Sequence, residues 1–366
     1  MDAHEQLRAK LDLFPIGLPK SLETERMLKL LFSDEDAALA AHVPNPPLVF
    51  GADRIADRAG MDRAAAARAL KSLAERGLIA EVDVLGRPRY TLLPAVPGFM
   101  EFQFMRGQEI TRERAEAGRL WHEALNGPFG EENYGAPTSG VRVIPLKKTV
   151  SASNRTFGFE DAEQLLRASG SIAITECACR KSAQKCGAPL DVCFMLNTSA
   201  DYLAARGLAE KITLREARRK LEKAADAGLV HTVSNTRAPV QILCNCCSCC
   251  CASLRGVTGL GKPADNLRSN FVCAPASDGE CISCGACAKA CPTHAIAVEK
   301  GSAPVVNRDL CLGCGVCVRQ CPTNSLQLKR RSRSAPPLNS LELLARMVSE
   351  RGKTPRIIRG LLNDLL

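Results

Sequence analysis

Aromatic side chains are scarce in this chain, with one Trp, three Tyr and eleven Phe among 366 residues. Ala, Leu and Arg dominate instead, so the expectation is helical packing through small contacts. Histidine is scarcer than most residue types. His4, His42, His122, His231 and His294 are scattered, and their spacing suits no metal site. No run approaches the ~20 apolar residues that cross a bilayer. The start, Met1 to Phe14, is charged and amphipathic and lacks the apolar stretch of a secretion signal. There is no glycine fingerprint for a dinucleotide, no hydrolytic triad and no haem attachment motif. Gly256, Gly261 and Lys262 imitate a phosphate-binding loop, but Pro263 stands where a Ser or Thr would hold magnesium. That stretch reads as a turn.

Cysteine is the opposite case, at nineteen residues. The odd count and the crowding argue against disulfides of normal geometry. A reducing, oxygen-poor cytoplasm is the consistent compartment. Eight of the cysteines write one motif twice: Cys281, Cys284, Cys287, Cys291 and Cys311, Cys314, Cys317, Cys321, each copy followed by Pro and Thr. Cysteines at this rhythm can wrap three corners of a cubane while the fourth reaches a neighbouring cluster. Gly285, Gly313 and Gly315 leave the backbone room to bend and to aim N–H groups at sulfur. Cys-x2-Cys also suits zinc, but the repeated x2-x2-x3-Pro rhythm favours iron and sulfide.

From Glu280 to Leu328 the chain resembles the bacterial two-cluster ferredoxins. The resemblance implies that Cys281, Cys284, Cys287 and Cys321 hold one 4Fe–4S cluster and that Cys311, Cys314, Cys317 and Cys291 hold the other. It also implies paired strands at Ala295 to Val298 and Ser325 to Leu328. No aromatic residue lies between Cys281 and Leu328, so Ile282, Leu312 and Val316 are expected to shield the clusters.

Eleven cysteines lie outside this motif. Cys177 and Cys179 precede Arg180, and Cys186 and Cys193 follow. Six more crowd between Cys244 and Cys251. If the chain stays extended there, Cys244, Cys246 and Cys250 face one way and Cys247, Cys249 and Cys251 the other. A further site is expected from Cys177, Cys179, Cys193, Cys246 and Cys249. A third iron–sulfur cluster is the favoured occupant, zinc the second, and metal-free thiols the third. Arg180 would hydrogen-bond cluster sulfur, stabilise a thiolate, or face solvent.

Ala52 to Ala59 and Asp62 to Arg76 read as two helices, and Leu78 to Leu93 reads as a hairpin turning at residues 86–88. This order resembles winged-helix domains, which serve as DNA readers or docking modules; Arg63, Arg68, Lys71, Arg87 and Arg89 would be the basic groups. A weaker second copy is expected from a helix at Thr213 to Ala227 and strands on either side of Thr236 to Pro239. Gly127 to Val150, rich in Gly and Pro, reads as a surface crossing.

The net charge of +10 is uneven: residues 329–366 carry nine Lys or Arg against three acids. Leu341, Leu344, Met347 and Val348 recur at helical spacing there. A basic amphipathic helix can dock on an acidic partner or an anionic membrane surface, or pack back on its own protein.

The expected fold is thus α+β and multi-domain: a winged-helix-like domain (1–98), a cysteine-rich mixed middle domain (99–272), a dicluster ferredoxin-type domain (273–330) and a basic tail (331–366). The layout resembles ferredoxin-fused iron–sulfur proteins of anaerobic bacteria. The expected function is electron transfer to or from a redox partner enzyme. Two alternatives are an iron–sulfur redox-sensing transcription regulator on DNA, and a reductase with its active cluster in the middle domain. No residue is singled out for acid–base catalysis.

Overall fold

The computed structural model describes residues 2–150, 156–277 and 279–365, and the chain forms two compact units. One comprises residues 1–136 together with 346–366, and the other residues 137–345.

In the first unit, Gly51 opens the helix Ala52–Ala59, and Gly60 ends it in the left-handed region at φ 63°. Asp62 caps the next helix, Arg63–Glu75, by accepting from the Ala65 N–H at 2.9 Å. Strands β1 (Ile79–Val84) and β2 (Arg87–Leu92) then pair antiparallel. The hairpin turns on Leu85 and Gly86, both at positive φ, as a two-residue turn between twisted strands requires. Phe50 bridges to Tyr90 and adds a third extended segment beside the hairpin.

The basic tail folds onto this unit through the helix Thr354–Leu365. Asp364 is buried and binds Lys10 at 2.7 Å, Lys353 pairs with Glu132, and Arg356 pairs with Asp12 at 2.7 Å. The preceding helix, Ser340–Glu350, buries Leu343 and Met347. Leu341 and Leu344, also expected on its apolar face, are exposed.

The second unit is built on a six-stranded antiparallel sheet of order β3-β7-β8-β5-β4-β6. The strands are β3 (Val141–Val143), β4 (Ile172–Thr175), β5 (Cys193–Leu196), β6 (Glu210–Lys211), β7 (Val230–Ser234) and β8 (Ile242–Cys246). The expected surface crossing, residues 127–150, contains the helix Pro128–Tyr134 of the first unit and the edge strand β3. The helix Leu214–Asp226 opens on a capping box between Thr213 and Glu216 and leads into the antiparallel pair β7 and β8. Ile144, Leu166, Phe194, Val233 and Leu243 share one apolar core of this unit.

Four further strands surround the repeated cysteine motif: β9 (Phe271–Pro275), β10 (Ile296–Ala297), β11 (Val305–Val306) and β12 (Leu326–Arg330). The two segments expected to pair with each other do not. β10 pairs with β11 and β12 pairs with β9, both antiparallel. The cysteine motif is tied to the large sheet by the Leu146 N–H donating to the Cys314 carbonyl at 2.9 Å and by Arg319 reaching Glu222 at 2.8 Å. A buried pair anchors the end of β12: Arg330 grips both Glu160 carboxylate oxygens, at 3.0 and 2.8 Å, and its guanidinium lies over the Phe271 ring. Burial alone would push the Glu160 carboxyl up, but the Arg330 and backbone hydrogen bonds outweigh it and hold it low.

Candidate metal centres

The eight repeated cysteines converge on two cavities. Cys291, Cys311, Cys314 and Cys317 line the first, and Cys281, Cys284, Cys287 and Cys321 line the second. In each set, three thiols come from one copy of the motif and the fourth from the other copy.

Both sets offer sulfur in a prepared polar setting. The Ala295 N–H donates to the Cys291 sulfur at 3.2 Å, and the Ser283 N–H donates to the Cys281 sulfur at 3.4 Å. The Thr293 and Thr323 hydroxyls stand at the same 3.8 Å from Cys291 and Cys321, so the motif repeats in its contacts as well as its spacing. Such donors stabilise charge on sulfur and tune a bound cluster. Four convergent thiols with N–H support fit an iron–sulfur cubane in either cavity.

The two sites differ in solvent access. Cys291, Cys311, Cys314 and Cys317 are all buried, whereas Cys284 is exposed and Cys281 and Cys321 are half-buried. We call them the inner and outer sites. Leu312 and Val316 are buried, but Ile282, expected to shield a cluster, is 62% exposed at the rim of the outer site. Leu326 and the half-buried Val298 line that cavity instead. The inner cavity also holds Cys273, a fifth thiol on β9 in contact with Cys317. Its position eight residues before the motif was the one sequence signal for it.

Gly313 and Gly315 are fixed by close approach. Both have positive φ, and a Cβ on Gly313 would strike the Phe271 carbonyl, while one on Gly315 would strike the Thr149 hydroxyl. Gly285 also has positive φ, but open space lies where its Cβ would be. Gly313→Ala should therefore cost clearly more than the ~1–2 kcal/mol of left-handed strain expected for Gly285→Ala. Thermal unfolding and iron content of the two variants check this, with Gly313→Ala the more depleted.

The remaining thiols divide into two groups. Strand β8 stops at Cys246, and a turn follows in which the Cys251 N–H donates to the Cys247 carbonyl at 3.3 Å. The expected two-faced alternation therefore ends at Cys246. The turn sends Cys251 back toward Cys246 and gathers Cys247, Cys249 and Cys250 around Cys186.

The first group is a largely buried row, in which only Cys244 is half-buried: Cys177 lies against Cys193, Cys193 against Cys244, Cys244 against Cys246, and Cys246 against Cys251. Cys179 stands near Cys251 at its end. The β-ladder builds this row, because β5 brings Cys193 opposite Thr175 on β4 and Phe194 opposite Leu243 on β8. The Thr232 hydroxyl lies 3.2 Å from the Cys246 sulfur. Contact with Cys193 and burial push the Cys177 thiol well above its ordinary range. Of the five residues expected to form one site, Cys177, Cys179, Cys193 and Cys246 belong to this row.

Cys249, the fifth, belongs to the second group with Cys186, Cys247 and Cys250, whose sulfur atoms all lie within 4.8 Å of one another. Arg180 stands between the groups at 1% exposure, so it does not face solvent. Its guanidinium donates to the carbonyls of Pro189 and, at 2.8 Å, Asn245. Burial would push the Cys247 thiol up, but the adjacent Arg180 brings it down to about 7. His231, opposite Asn245 in the sheet, is held neutral by burial, with its pKa lowered to about 4.

Residues 274–328 match the family model described as a 4Fe-4S dicluster domain. No curated protein and no solved structure matches the chain. The matched stretch is a ferredoxin-like iron–sulfur domain, and with the clustered cysteines beside it the chain has the features of an iron–sulfur electron-transfer protein. No helix among the described residues is long and apolar enough to cross a membrane.

Proposed function

We propose that the protein is an iron–sulfur electron carrier that exchanges electrons with a redox partner protein. In this reading Cys281, Cys284, Cys287 and Cys321 hold one 4Fe–4S cluster at the outer site. Cys311, Cys314, Cys317 and Cys291 hold a second at the inner site. The buried row of Cys177, Cys193, Cys244, Cys246 and Cys251, with Cys179, supplies the ligands of a third. A cubane, when bound, contributes one-electron exchange without bond chemistry.

One observation carries this reading. Cys314, Leu312 and Val316 of the inner site share a single packed core with Cys246 and Cys251 of the row. The inner-site thiols and Cys246 and Cys251 of the row are all buried, while the outer site opens to the surface through Cys284. The sites thus run from an exposed end to a buried one. Exposed Ile282, with Cys284, offers an apolar contact at the exposed end for a partner protein.

The alternatives draw less support. A reductase would need substrate to reach the row, yet Cys177, Cys193, Cys246 and Cys251 are buried, with Cys179 and Cys244 half-buried. In the first unit, the helix pair, the hairpin and the Phe50–Tyr90 bridge support a winged-helix-like module. Its basic groups are partly engaged, Arg63 with Asp57 at 2.9 Å and Lys71 with Glu75 at 3.9 Å, which favours docking over DNA. The pairing of Lys353 and Arg356 with acids likewise disfavours a membrane role for the tail. Cysteines without disulfides suit a reducing cytoplasm, as in the anaerobic proteins that the layout resembles.

The test is reversible reduction. The anaerobically purified chain should lose its visible charge-transfer absorption with dithionite and regain it with cytochrome c as acceptor, with no other reactant consumed. A chain that cannot be cycled in this way is not a carrier.

A further inference from the structure

The second thiol group has the dimensions of a site for one metal ion. Cys186 lies 3.8 Å from both Cys247 and Cys250, and Cys249 lies 3.6 Å from Cys250, sulfur to sulfur. Zinc–sulfur bonds of about 2.3 Å in a tetrahedron place neighbouring sulfurs about 3.8 Å apart. A cubane puts four irons between its thiolates and holds them further apart. Cys247 and Cys250 also form a Cys-x2-Cys knuckle: the Cys250 N–H points at the Cys247 sulfur, and the Lys185 N–H points at the Cys250 sulfur. Four thiolates around a divalent ion carry a net charge of −2, and the buried guanidinium of Arg180 against Cys247 offsets part of it.

We propose that Cys186, Cys247, Cys249 and Cys250 bind a single zinc ion, separate from any iron–sulfur cluster. The ion ties two segments that have no ladder of their own, the irregular stretch after the helix Ala178–Ala183 and the turn after β8. Those segments adjoin Cys177 and Cys179 on one side and Cys246 and Cys251 on the other. The ion is thus a structural staple beside the buried row. Cys249 is exposed, and Cys186 and Cys247 are half-buried, so the site lies near the surface where zinc can enter.

The test is zinc and iron per chain for the full-length protein and for Cys186→Ser and Cys249→Ser, purified anaerobically after growth with zinc supplied. The expected result is about one zinc per chain in the parent, lost from both variants while iron is unchanged. Should Cys186→Ser fail to fold, Cys249→Ser, at an exposed position, decides alone. Cobalt exchanged into the parent should show the intense visible bands of tetrahedral thiolate coordination, absent from Cys249→Ser. Parent protein without zinc, zinc that persists in the variants, or iron lost in place of zinc would each overturn the proposal. A chain with zinc but no iron would uphold it while sinking the electron-carrier reading, so the two fail separately.

Discussion

Cys314→Ser should strip about four irons from the chain and leave the outer site filled. Cys314 is the inner-site thiol at the boundary with the middle cysteines, and it sits in the core that Cys246 and Cys251 share. Its backbone carbonyl, which receives the Leu146 N–H, is kept in the variant, so local chain geometry survives the change. The four outer thiols, Cys281, Cys284, Cys287 and Cys321, line the other cavity and are untouched. Iron and acid-labile sulfide should fall together, and electrons entering at the exposed end should no longer reach the buried row. Unchanged iron would mean that Cys314 is not a ligand.

Cys193→Ser should remove about four irons of a different kind, leaving about eight. Cys193 lies inside the row, touching Cys177 on one side and Cys244 on the other, so no neighbouring thiol stands in the same place. The two ferredoxin-like sites should keep their iron, because Cys193 lines neither cavity. Far-ultraviolet circular dichroism should stay close to the parent, since the Cys193 backbone stays in β5. Eight irons in parent and variant alike would make the row a set of metal-free thiols.

These two variants also mark the boundary of what the sequence discloses. The ferredoxin-like cysteines are legible because their ligand pattern is local: short spacings, repeated once, bring three thiols together without help from distant chain. The helices Ala52–Ala59 and Arg63–Glu75 and the hairpin after them are legible for a similar reason, being bounded by Gly60, Asp62, Gly77 and the turn at Gly86. The middle cysteines are not legible, because their sorting depends on where β8 stops. Extended alternation through Cys251 gives one division, whereas the end of the strand at Cys246 and the following turn give another. Cys186 meets Cys247 and Cys250 across more than sixty residues, and only the sheet order brings those segments together. The partners of β9 and β12 are hidden for the same reason: a strand pattern shows which face is apolar, not which edge it meets. Exposure is equally hard to read. Ile282 is aliphatic and sits inside a ligand motif, yet it is left at the surface at the outer site.

The tail shows how charge misleads when read alone. Nine basic residues against three acids suggest a cationic surface. Within the first unit, however, Lys353 and Arg356 meet Glu132 and Asp12, and the tail's own Asp364 is buried against Lys10. Pairing of this kind holds a terminus in place and leaves less charge for an external anion.

A reductive titration of the anaerobic full-length chain, counting electrons taken up against a low-potential donor, tests the central claim most directly. Three clusters in a series from the exposed outer site to the buried row should take up about three electrons per chain, and Cys193→Ser about two. A parent chain that takes up about two electrons, the same number as Cys193→Ser, would contradict the account.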